Sequence, residues 1–186
     1  MVWLNHLLVK GLEAVLKNLL LIISVLMLSA CVTKPESVKP VTGFELNRYL
    51  GKWYEIARLD HSFERGMSEV TAEYSLRKDG GVRVLNRGYL ESDNRWKQAE
   101  GKAYFMNGES EGYLKVSFFG PFYGSYVVFE LDHEGYQYAF VSGPSTKYLW
   151  LLSRSPTVAS EVMDKFIKMS KERGFDTDKL IYVRQK

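Results

Sequence analysis

A serine in a glycine-flanked string and two histidines are the residues of this sequence that most invite a catalytic interpretation. The string Gly-Glu-Ser-Glu-Gly at 108–112 has the spacing of a serine nucleophile elbow. An elbow needs a turn from a parallel strand into a helix, whereas this string is a polar turn between two strand-like runs, so we interpret it as a hairpin turn. His61 and His133 fall at opposite ends of the predicted strands, which prevents them from sharing a metal ion or a catalytic step. We interpret both as surface residues.

The single cysteine, Cys31, excludes an internal disulfide and a cysteine-rich metal cluster. It follows the apolar stretch 19–28, which is preceded by Lys10 and Lys17. This order of basic, apolar and small residues is typical of a signal peptide. The segment 18–30 is shorter than the roughly 20 residues that a membrane-spanning helix needs, so a spanning anchor is the weaker interpretation.

The tetrapeptide Leu-Ser-Ala-Cys at 28–31 resembles the lipobox of bacterial lipoproteins. The resemblance implies that residues 1–30 are a lipoprotein signal peptide, and that the thiol and the new amino group of Cys31 are acylated, which anchors the domain stably. The residue after Cys31 is Val32 and not aspartate, which resembles the sorting pattern of Gram-negative lipoproteins that reach the outer membrane. We therefore expect a periplasm-facing protein that is lipid-anchored to the cell outer membrane. The polar residues after the cysteine predict a flexible tether over 31–41.

The composition is that of one globular domain, which we place at residues 42–186. Apolar residues make up 46% of the 186-residue chain, too many for a disordered protein. The formal charge is only +3 and its basic residues are not gathered into a stripe, which argues against nucleic-acid binding.

Turn signals recur at short intervals between residues 51 and 154 and separate runs rich in Val, Tyr, Phe and Leu. These turns lie at 60–67, 79–81, 91–94, 107–112, 120–124, 132–135 and 143–144. They predict eight antiparallel strands in a sandwich or meander barrel, without room for crossover helices. Alternation of polar and apolar residues, clear over 69–76, predicts one apolar face. Ala99, Gly101 and Ala103 share that face and are expected to leave space.

The segment 160–173 has apolar residues at helical spacing and predicts one amphipathic helix packed on the sheet. Thr157 or Ser160 is expected to cap its start, and Gly174 its end. The residues 180–183 predict a short final edge strand.

The stretch Gly-Lys-Trp-Tyr-Glu-Ile-Ala at 51–57 resembles the Gly-x-Trp motif that opens the first strand of lipocalins. Arg154 at the end of the predicted eighth strand, and the helix after it, agree with that family. The resemblance covers residues 42–186 and, with the lipobox, is greatest to bacterial outer-membrane lipoprotein lipocalins. It implies an all-β fold, an eight-stranded antiparallel up-and-down barrel with one C-terminal α-helix packed outside and a short final strand, that holds a small ligand. Gly51, Trp53 and Arg154 are its signature.

The barrel topology fixes which residues share an end. Neighbouring strands run in opposite directions, so the start of strand one and the end of strand eight lie at the same rim. Trp53 and Arg154 should therefore meet there, with the guanidinium over the indole, in a structural role. The loops 60–67, 91–95, 120–124 and 143–147 should then form the opposite rim, which we call the mouth.

The expected ligand site lies in the mouth half of the barrel. Its predicted inward residues are Ala57, Val70, Ala72, Asn86, Gly88, Ala99, Phe118, Tyr148 and Trp150, and its predicted lip residues are Phe63, Arg65, Phe122 and Tyr123. An apolar space with aromatic and basic groups at its lip suits an amphiphilic lipid such as a fatty acid or lysophospholipid.

We therefore expect a lipid-binding protein for transport, storage or salvage, whose partners are a small amphiphile and, through acylated Cys31, the outer membrane. We expect no enzymatic activity, cofactor, metal ion or nucleic acid. Two alternatives remain open. One is a lipid-modifying enzyme on such a barrel, in which an inward Glu55 or Glu130 with a perturbed pKa takes part; the other is an interaction module whose barrel is filled by its own side chains.

Overall fold

The computed structural model describes Lys17 and residues 32–186, so the predicted signal peptide and the lipid-attachment residue Cys31 lie outside the described residues, apart from Lys17. Within residues 32–186 the α-helices are α1 (Leu46–Tyr49) and α2 (Ser160–Glu172), and 3₁₀ turns lie at Glu91–Asp93 and Thr177–Lys179. The strands are β1 (Gly51–Leu59), β2 (Met67–Leu76), β3 (Val82–Leu90), β4 (Arg95–Phe105), β5 (Tyr113–Phe119), β6 (Phe122–Leu131), β7 (Tyr138–Ser142), β8 (Leu149–Ser153) and β9 (Leu180–Tyr182).

The first eight strands form a closed antiparallel barrel. Each strand pairs with the next, and β1 pairs with both β2 and β8, which closes the ring. The ninth strand lies outside this ring and pairs with β1 over Ala57, Arg58 and Leu59. The predicted fold class, including the outer helix and the short last strand, is confirmed.

Two apolar clusters stabilise the fold, one on each side of the barrel wall. The interior cluster is centred on Trp53, Tyr74 and Leu152. The outer cluster lies between the wall and α2, where the rings of Phe140 and Phe166 meet edge to face at 5.0 Å between centroids. In β1 and in β6 to β8 the outward-facing residues are therefore buried as well as the inward-facing ones, because α2 covers that part of the wall.

The helix α2 ends as predicted but begins differently. Gly174 has φ +83°. Its N–H and that of Phe175 donate hydrogen bonds to the main-chain oxygens of Lys171 and Ser170, at 3.0 and 3.1 Å, a glycine-terminated end of the Schellman type. At the start, the capping residue is Ala159 and no side chain caps the helix. The expected cap by Thr157 or Ser160 is thus wrong.

The segment 32–41 packs along the barrel, which corrects the expectation of a flexible tether over this length. Val38 is fully buried in the outer cluster. The N–H of Val41 donates to the main-chain oxygen of Val128 at 2.9 Å, and Ser125 Oγ donates to that of Thr33 at 2.6 Å. Within the described part of the chain, no helix has the length and apolar character needed to cross a membrane.

The strands β1 and β2 pair with each other only over residues 51–54, so their mouth halves are separated by a gap, which we call the seam. The tail, residues 183–186, lies in the seam and joins the two strands. Gln185 Nε2 donates to two main-chain oxygens, one on each strand. The hydrogen bonds that join the seam are Val183 N to Ile56 O (2.9 Å), Glu69 N to Arg184 O (2.8 Å), and Gln185 Nε2 to Glu55 O (2.6 Å) and Val70 O (3.0 Å).

Candidate ligand-binding site

Trp53 and Arg154 lie together at the end of the barrel where β1 begins. The Cζ of Arg154 lies 3.9 Å from the centre of the Trp53 ring, the contact that strand order predicts. Gly51 beside it has φ +92°, a backbone conformation that favours glycine. The two Nη atoms of Arg154 donate to three main-chain oxygens, those of Lys52 (2.8 Å), Arg48 (2.7 Å) and Leu50 (2.9 Å), and Nε donates to that of Tyr136 (3.4 Å). These contacts fix α1 across the closed end.

The Trp53–Arg154 contact plugs the closed end of the barrel. Above this plug, three tyrosines form the floor of the barrel interior. The hydroxyl of Tyr126 lies 2.7 Å from that of Tyr49 and 2.8 Å from that of Tyr74. Burial raises the pKa of all three phenols, so they stay neutral. The cavity beside them measures only about 20 Å³, is apolar, and would hold about one water molecule by volume. The closed half of the barrel is therefore filled by side chains, and a ligand needs the mouth half.

Ala72, Asn86 and Ala99 form a row across the inner wall of the mouth half. Ala72 pairs with Asn86, and Asn86 with Ala99. Ala72 belongs to the interior cluster, so its paired neighbours face inward too. Ala99 is nevertheless exposed, and Asn86 Oδ1 is buried without a hydrogen-bond partner. The interior beside this row is therefore open to solvent and has an unused acceptor.

Val70, Gly88 and Phe118 complete the inner wall. A Cβ on Gly88 would lie 3.1 Å from Val70 Cγ2, so Val70 packs directly over that glycine. The ring of Phe118 lies over Gly101 in the same way, 2.9 Å from the place of a Cβ. The space expected from the small residues of β4 is thus partly occupied by Phe118.

The structure corrects the position of Ala57. A bulge shifts the register of β1 against β8 between Glu55 and Ala57. Ala57 pairs with Leu151 and packs in the outer cluster beneath α2, away from the interior. Since one extra residue reverses the alternation, Glu55 and Arg58 both face inward.

A buried polar cluster, formed by Glu55, Arg58, His61 and Glu64, lies beneath the mouth. Arg58 Nη1 donates to Glu55 Oε1 at 2.6 Å, and its Nη2 donates to the main-chain oxygen of Glu64 at 2.8 Å. His61 Nε2 lies 3.1 Å from Glu64 Oε2, which also accepts a 3.1 Å hydrogen bond from Trp150 Nε1. Arg58 Nε and His61 Nδ1 are buried without partners, and the 3.1 Å contact of His61 Nε2 with Glu64 lacks the alignment of a hydrogen bond. The cluster holds the β1–β2 loop over the barrel.

The two carboxyl groups of this cluster have opposite pKa shifts. Burial, and then the nearby charge of Glu64, raise the pKa of Glu55 well above its ordinary value. Burial would also raise the pKa of Glu64, but the polar contacts of its carboxyl group with His61, Glu55 and Trp150 outweigh that effect and lower the pKa. The two shifts favour a protonated Glu55 beside an ionised Glu64, an arrangement with less negative charge next to Arg58 than two ionised carboxylates would have.

Aromatic rings rise from the cluster to the mouth. Tyr148 stacks on Trp150 at 6.3 Å and on Phe63 at 6.4 Å between ring centroids. His61 meets the edge of Trp150 at 5.1 Å. The structure thus brings together three of the predicted site residues, Trp150, Tyr148 and Phe63, and adds a histidine that the sequence did not place there.

The predicted lip residues separate into two groups. Arg65 and Phe122 are exposed at the mouth: Arg65 lies in the β1–β2 loop, where its Nε donates to Asp60 at 2.8 Å, and Phe122 is the first residue of β6. Tyr123 does not belong to the mouth. The strand β6 begins at Phe122, earlier than predicted, so Tyr123 lies on the outer wall, 5.2 Å from Lys115 Nζ.

One expectation is wrong, that His61 is a surface residue, and one of the alternatives left open, an inward Glu130, does not hold. His61 is buried and not a surface residue. Glu130 faces outward beneath α2, where its Oε1 accepts a 2.5 Å hydrogen bond from Lys165. Arg58 and Glu64 were not predicted to be part of the site, because the sequence shows no bulge and charged residues near a loop are usually exposed. Among the described residues, no three His, Cys, Asp or Glu side chains are placed to hold a metal ion.

Comparison with known proteins agrees with this architecture. Residues 44–185 match the family model of the lipocalin-like domain. The outer membrane lipoprotein Blc of Vibrio cholerae is 70% identical over 170 residues, which cover 91% of this chain and 99% of that protein. The protein of the same name from Escherichia coli K12 is 53% identical over 153 residues, 82% of this chain and 86% of that one.

A solved structure shows the same fold at lower identity. Insecticyanin from the tobacco hornworm Manduca sexta superposes with a TM-score of 0.64 at 24% identity, over 80% of this chain and 85% of that one. The barrel topology, the Trp53–Arg154 plug and the match over nearly the whole described domain lead to one conclusion: this chain belongs to the lipocalin family.

Proposed function

We propose that this protein binds amphiphilic lipids, such as fatty acids or lysophospholipids, in the mouth half of its barrel, and that it is anchored to the bacterial outer membrane through acylated Cys31. The observation that carries the proposal is the solvent-open inner wall beside Ala99, placed below the aromatic rings of Trp150, Tyr148 and Phe63. An acyl chain would bury its methylenes there at about 0.8 kcal/mol each. Transport, storage and salvage of lipid are the roles that such binding serves.

The buried polar atoms without partners support a polar head group in this site. Asn86 Oδ1, Arg58 Nε and His61 Nδ1 lack hydrogen bonds within the protein. Unpaired buried polar atoms are costly, so a ligand that supplies partners gains the free energy that the empty site loses. A lysophospholipid head group supplies both kinds of partner, because its hydroxyl donates and its phosphate oxygens accept, whereas a fatty-acid carboxylate supplies acceptors for Arg58 Nε and His61 Nδ1.

The names of the relatives support the anchor. Both bacterial relatives are outer membrane lipoproteins by name. The lipobox-like residues 28–31 precede a domain that begins to pack at Val32. Acylation of Cys31 would attach that domain to a bilayer directly, with a short connection.

Native mass spectrometry followed by organic extraction tests the lipid proposal. The protein lacking residues 1–31, which has no acylated cysteine, is produced in bacteria and purified from the soluble fraction of the cell extract. Lipids that co-purify with it are identified before and after titration with a monomeric fatty acid. We expect one bound amphiphile per chain. The Trp150→Gln variant should bind at least about tenfold more weakly, since it loses an apolar wall of the site.

The matched control is Trp96→Gln, because Trp96 lies on the outer wall, with the guanidinium of Arg87 at 4.1 Å from its ring. It should bind lipid like the parent protein. Absence of any bound lipid, with no change of Trp fluorescence on titration, would instead favour a barrel filled by its own side chains. Turnover of the bound lipid that is lost in Glu55→Gln would favour an enzyme.

A further inference from the structure

Three phenylalanines stand exposed around the mouth, and we call them the mouth phenylalanines: Phe63, Phe119 and Phe122. They are 64%, 74% and 77% exposed. Phe63 lies in the β1–β2 loop, whereas Phe119 and Phe122 flank the β5–β6 turn. In a ring of eight strands these two connections are four strands apart, so the mouth phenylalanines stand on opposite sides of the opening. Burial of these rings against an apolar surface would be favourable, because they are largely in contact with water in the free domain.

The first described residues of the domain lie on the outer wall beside β5 and β6. The main-chain oxygen of Thr33 accepts a 2.6 Å hydrogen bond from Ser125 Oγ, and that of Val32 accepts a 3.1 Å hydrogen bond from the side chain of Tyr113, the residue with which β5 begins. Ser125 is three residues from Phe122 at the mouth and six from Leu131 at the closed end, which corresponds to about 10 Å and about 20 Å along a strand. Thr33 is therefore nearer to the mouth than to the closed end, and it comes two residues after Cys31 in the chain.

We propose that the mouth of the barrel docks onto a lipid bilayer, with the mouth phenylalanines inserted among the lipids and the closed end directed away. The proposal rests on the acylation of Cys31 in the proposed function. Because Thr33 lies beside Ser125, nearer to the mouth than to the closed end, an acyl anchor at Cys31, two residues earlier in the chain, would keep a bilayer within reach of the mouth. The two sides of the opening then contact the membrane together, and a lipid passes between bilayer and barrel without crossing water.

A bilayer fits this surface better than a second copy of the chain. The mouth phenylalanines are separated by the opening and do not form one continuous apolar face, which a protein partner of fixed shape would require. A fluid lipid surface accommodates separate apolar side chains. The attachment point also places a bilayer within reach of every anchored molecule, at any protein concentration.

Fluorescent labelling of the full-length lipidated protein tests the orientation. Acylation consumes the thiol of Cys31, the only native cysteine, so an introduced cysteine is the only free thiol. Phe122→Cys and Phe63→Cys place an environment-sensitive dye at the mouth. Leu76→Cys is the matched control, because Leu76 is apolar, 59% exposed and at the end of β2 on the closed side. The proteins are reconstituted in vesicles of phosphatidylethanolamine and phosphatidylglycerol that contain a nitroxide-labelled phospholipid.

We expect the nitroxide lipid to quench the dyes at positions 63 and 122 and to leave the dye at position 76 unquenched. Equal quenching at all three positions, or none at the mouth, overturns the proposal. Protection of the mouth dyes from both nitroxide lipid and aqueous iodide, or a disulfide between two Phe122→Cys chains, would show a second copy on this face and also overturns it. Two labels per chain would show a free Cys31 thiol, which means that the anchor of the proposed function has failed.

Lipid uptake separates docking from binding. Phe119→Ser removes an apolar contact with the bilayer, and Phe119 is not one of the residues assigned to the ligand site. Fatty-acid uptake from vesicles should be at least about tenfold slower in this variant, while its affinity for monomeric fatty acid is unchanged. Leu76→Ser should alter neither quantity. Unchanged uptake by Phe119→Ser contradicts the docking proposal, whereas absence of monomer binding in the parent protein contradicts the proposed function.

Discussion

The indole N–H of Trp150 donates a 3.1 Å hydrogen bond to the carboxylate of Glu64, 86 positions earlier in the chain. Through this bond the predicted ligand-site tryptophan fixes the loop that partly covers the mouth. Ligand contact and loop position therefore depend on the same side chain, and substitutions of Trp150 have to be chosen so that the two effects can be separated.

Trp150→Phe keeps a ring for stacking on Tyr148 but removes the donor to Glu64. We expect the free energy of unfolding to fall by about 1–3 kcal/mol, because a buried ionised carboxylate loses a partner. The pKa of Glu64 should rise, since one of the hydrogen bonds that lower it is gone. Chemical denaturation at several pH values measures both, with Trp96→Phe as control. Equal stability of Trp150→Phe and the parent would show that the hydrogen bond contributes nothing.

Glu55→Gln should make the protein more stable at neutral and alkaline pH. The folded-state pKa of Glu55 is raised above its ordinary 4.5. Above that pH the native state holds a proton that the unfolded chain releases, so this residue's contribution to stability is lost as pH rises. The amide mimics the protonated acid and does not titrate. Each unit of pKa difference corresponds to about 1.4 kcal/mol.

Thermal unfolding of Glu55→Gln and the parent between about pH 5 and pH 8 checks this expectation. The gap between the two proteins should widen with pH. Glu130→Gln is the control, because Glu130 lies outside the barrel with Lys165, and its effect should not grow with pH in this way. A gap that narrows as pH rises would mean that Glu55 is ionised in the folded protein.

Arg154→Lys should destabilise the closed end by about 2–4 kcal/mol. A lysine cannot serve three main-chain oxygens in a fork, and it loses much of the stacking on Trp53. Urea denaturation measures the loss. Arg83→Lys, which affects only an exposed pair with Glu100, should stay within about 0.5 kcal/mol of the parent. Similar stabilities for the two variants would refute a structural role for Arg154.

Ala99→Phe should block the ligand space while leaving the fold intact, because Ala99 is exposed on the inner wall. A ring that displaces two or three methylenes of a bound acyl chain lowers its affinity by roughly 10- to 60-fold. Isothermal titration with a fatty acid measures the change. Gln98→Phe, one residue away and facing outward beside Arg87, is the control. Full affinity in Ala99→Phe would place the ligand elsewhere.

The sequence predicted the barrel well because alternation is a direct consequence of strand geometry. Ala72, Asn86 and Ala99 lie in one inner row as expected. Alternation fails where a strand bulges, and this is why Ala57 was expected inside while Arg58 was overlooked. Tyr123 was assigned to a turn that is shorter than predicted. The buried polar cluster could not be foreseen, since its charges are compatible with burial only when Arg58 and the carboxyl groups of Glu55 and Glu64 meet in space.

The seam between the mouth halves of β1 and β2 also makes the ring depend on residues that are far apart in the chain. The groups that join those strands belong to Val183, Arg184 and Gln185, which follow all eight barrel strands and α2 in the sequence. The first two strands therefore keep an open edge beside the mouth until this segment has docked between them. A change in these three residues would loosen the ring beside the opening through which a ligand passes.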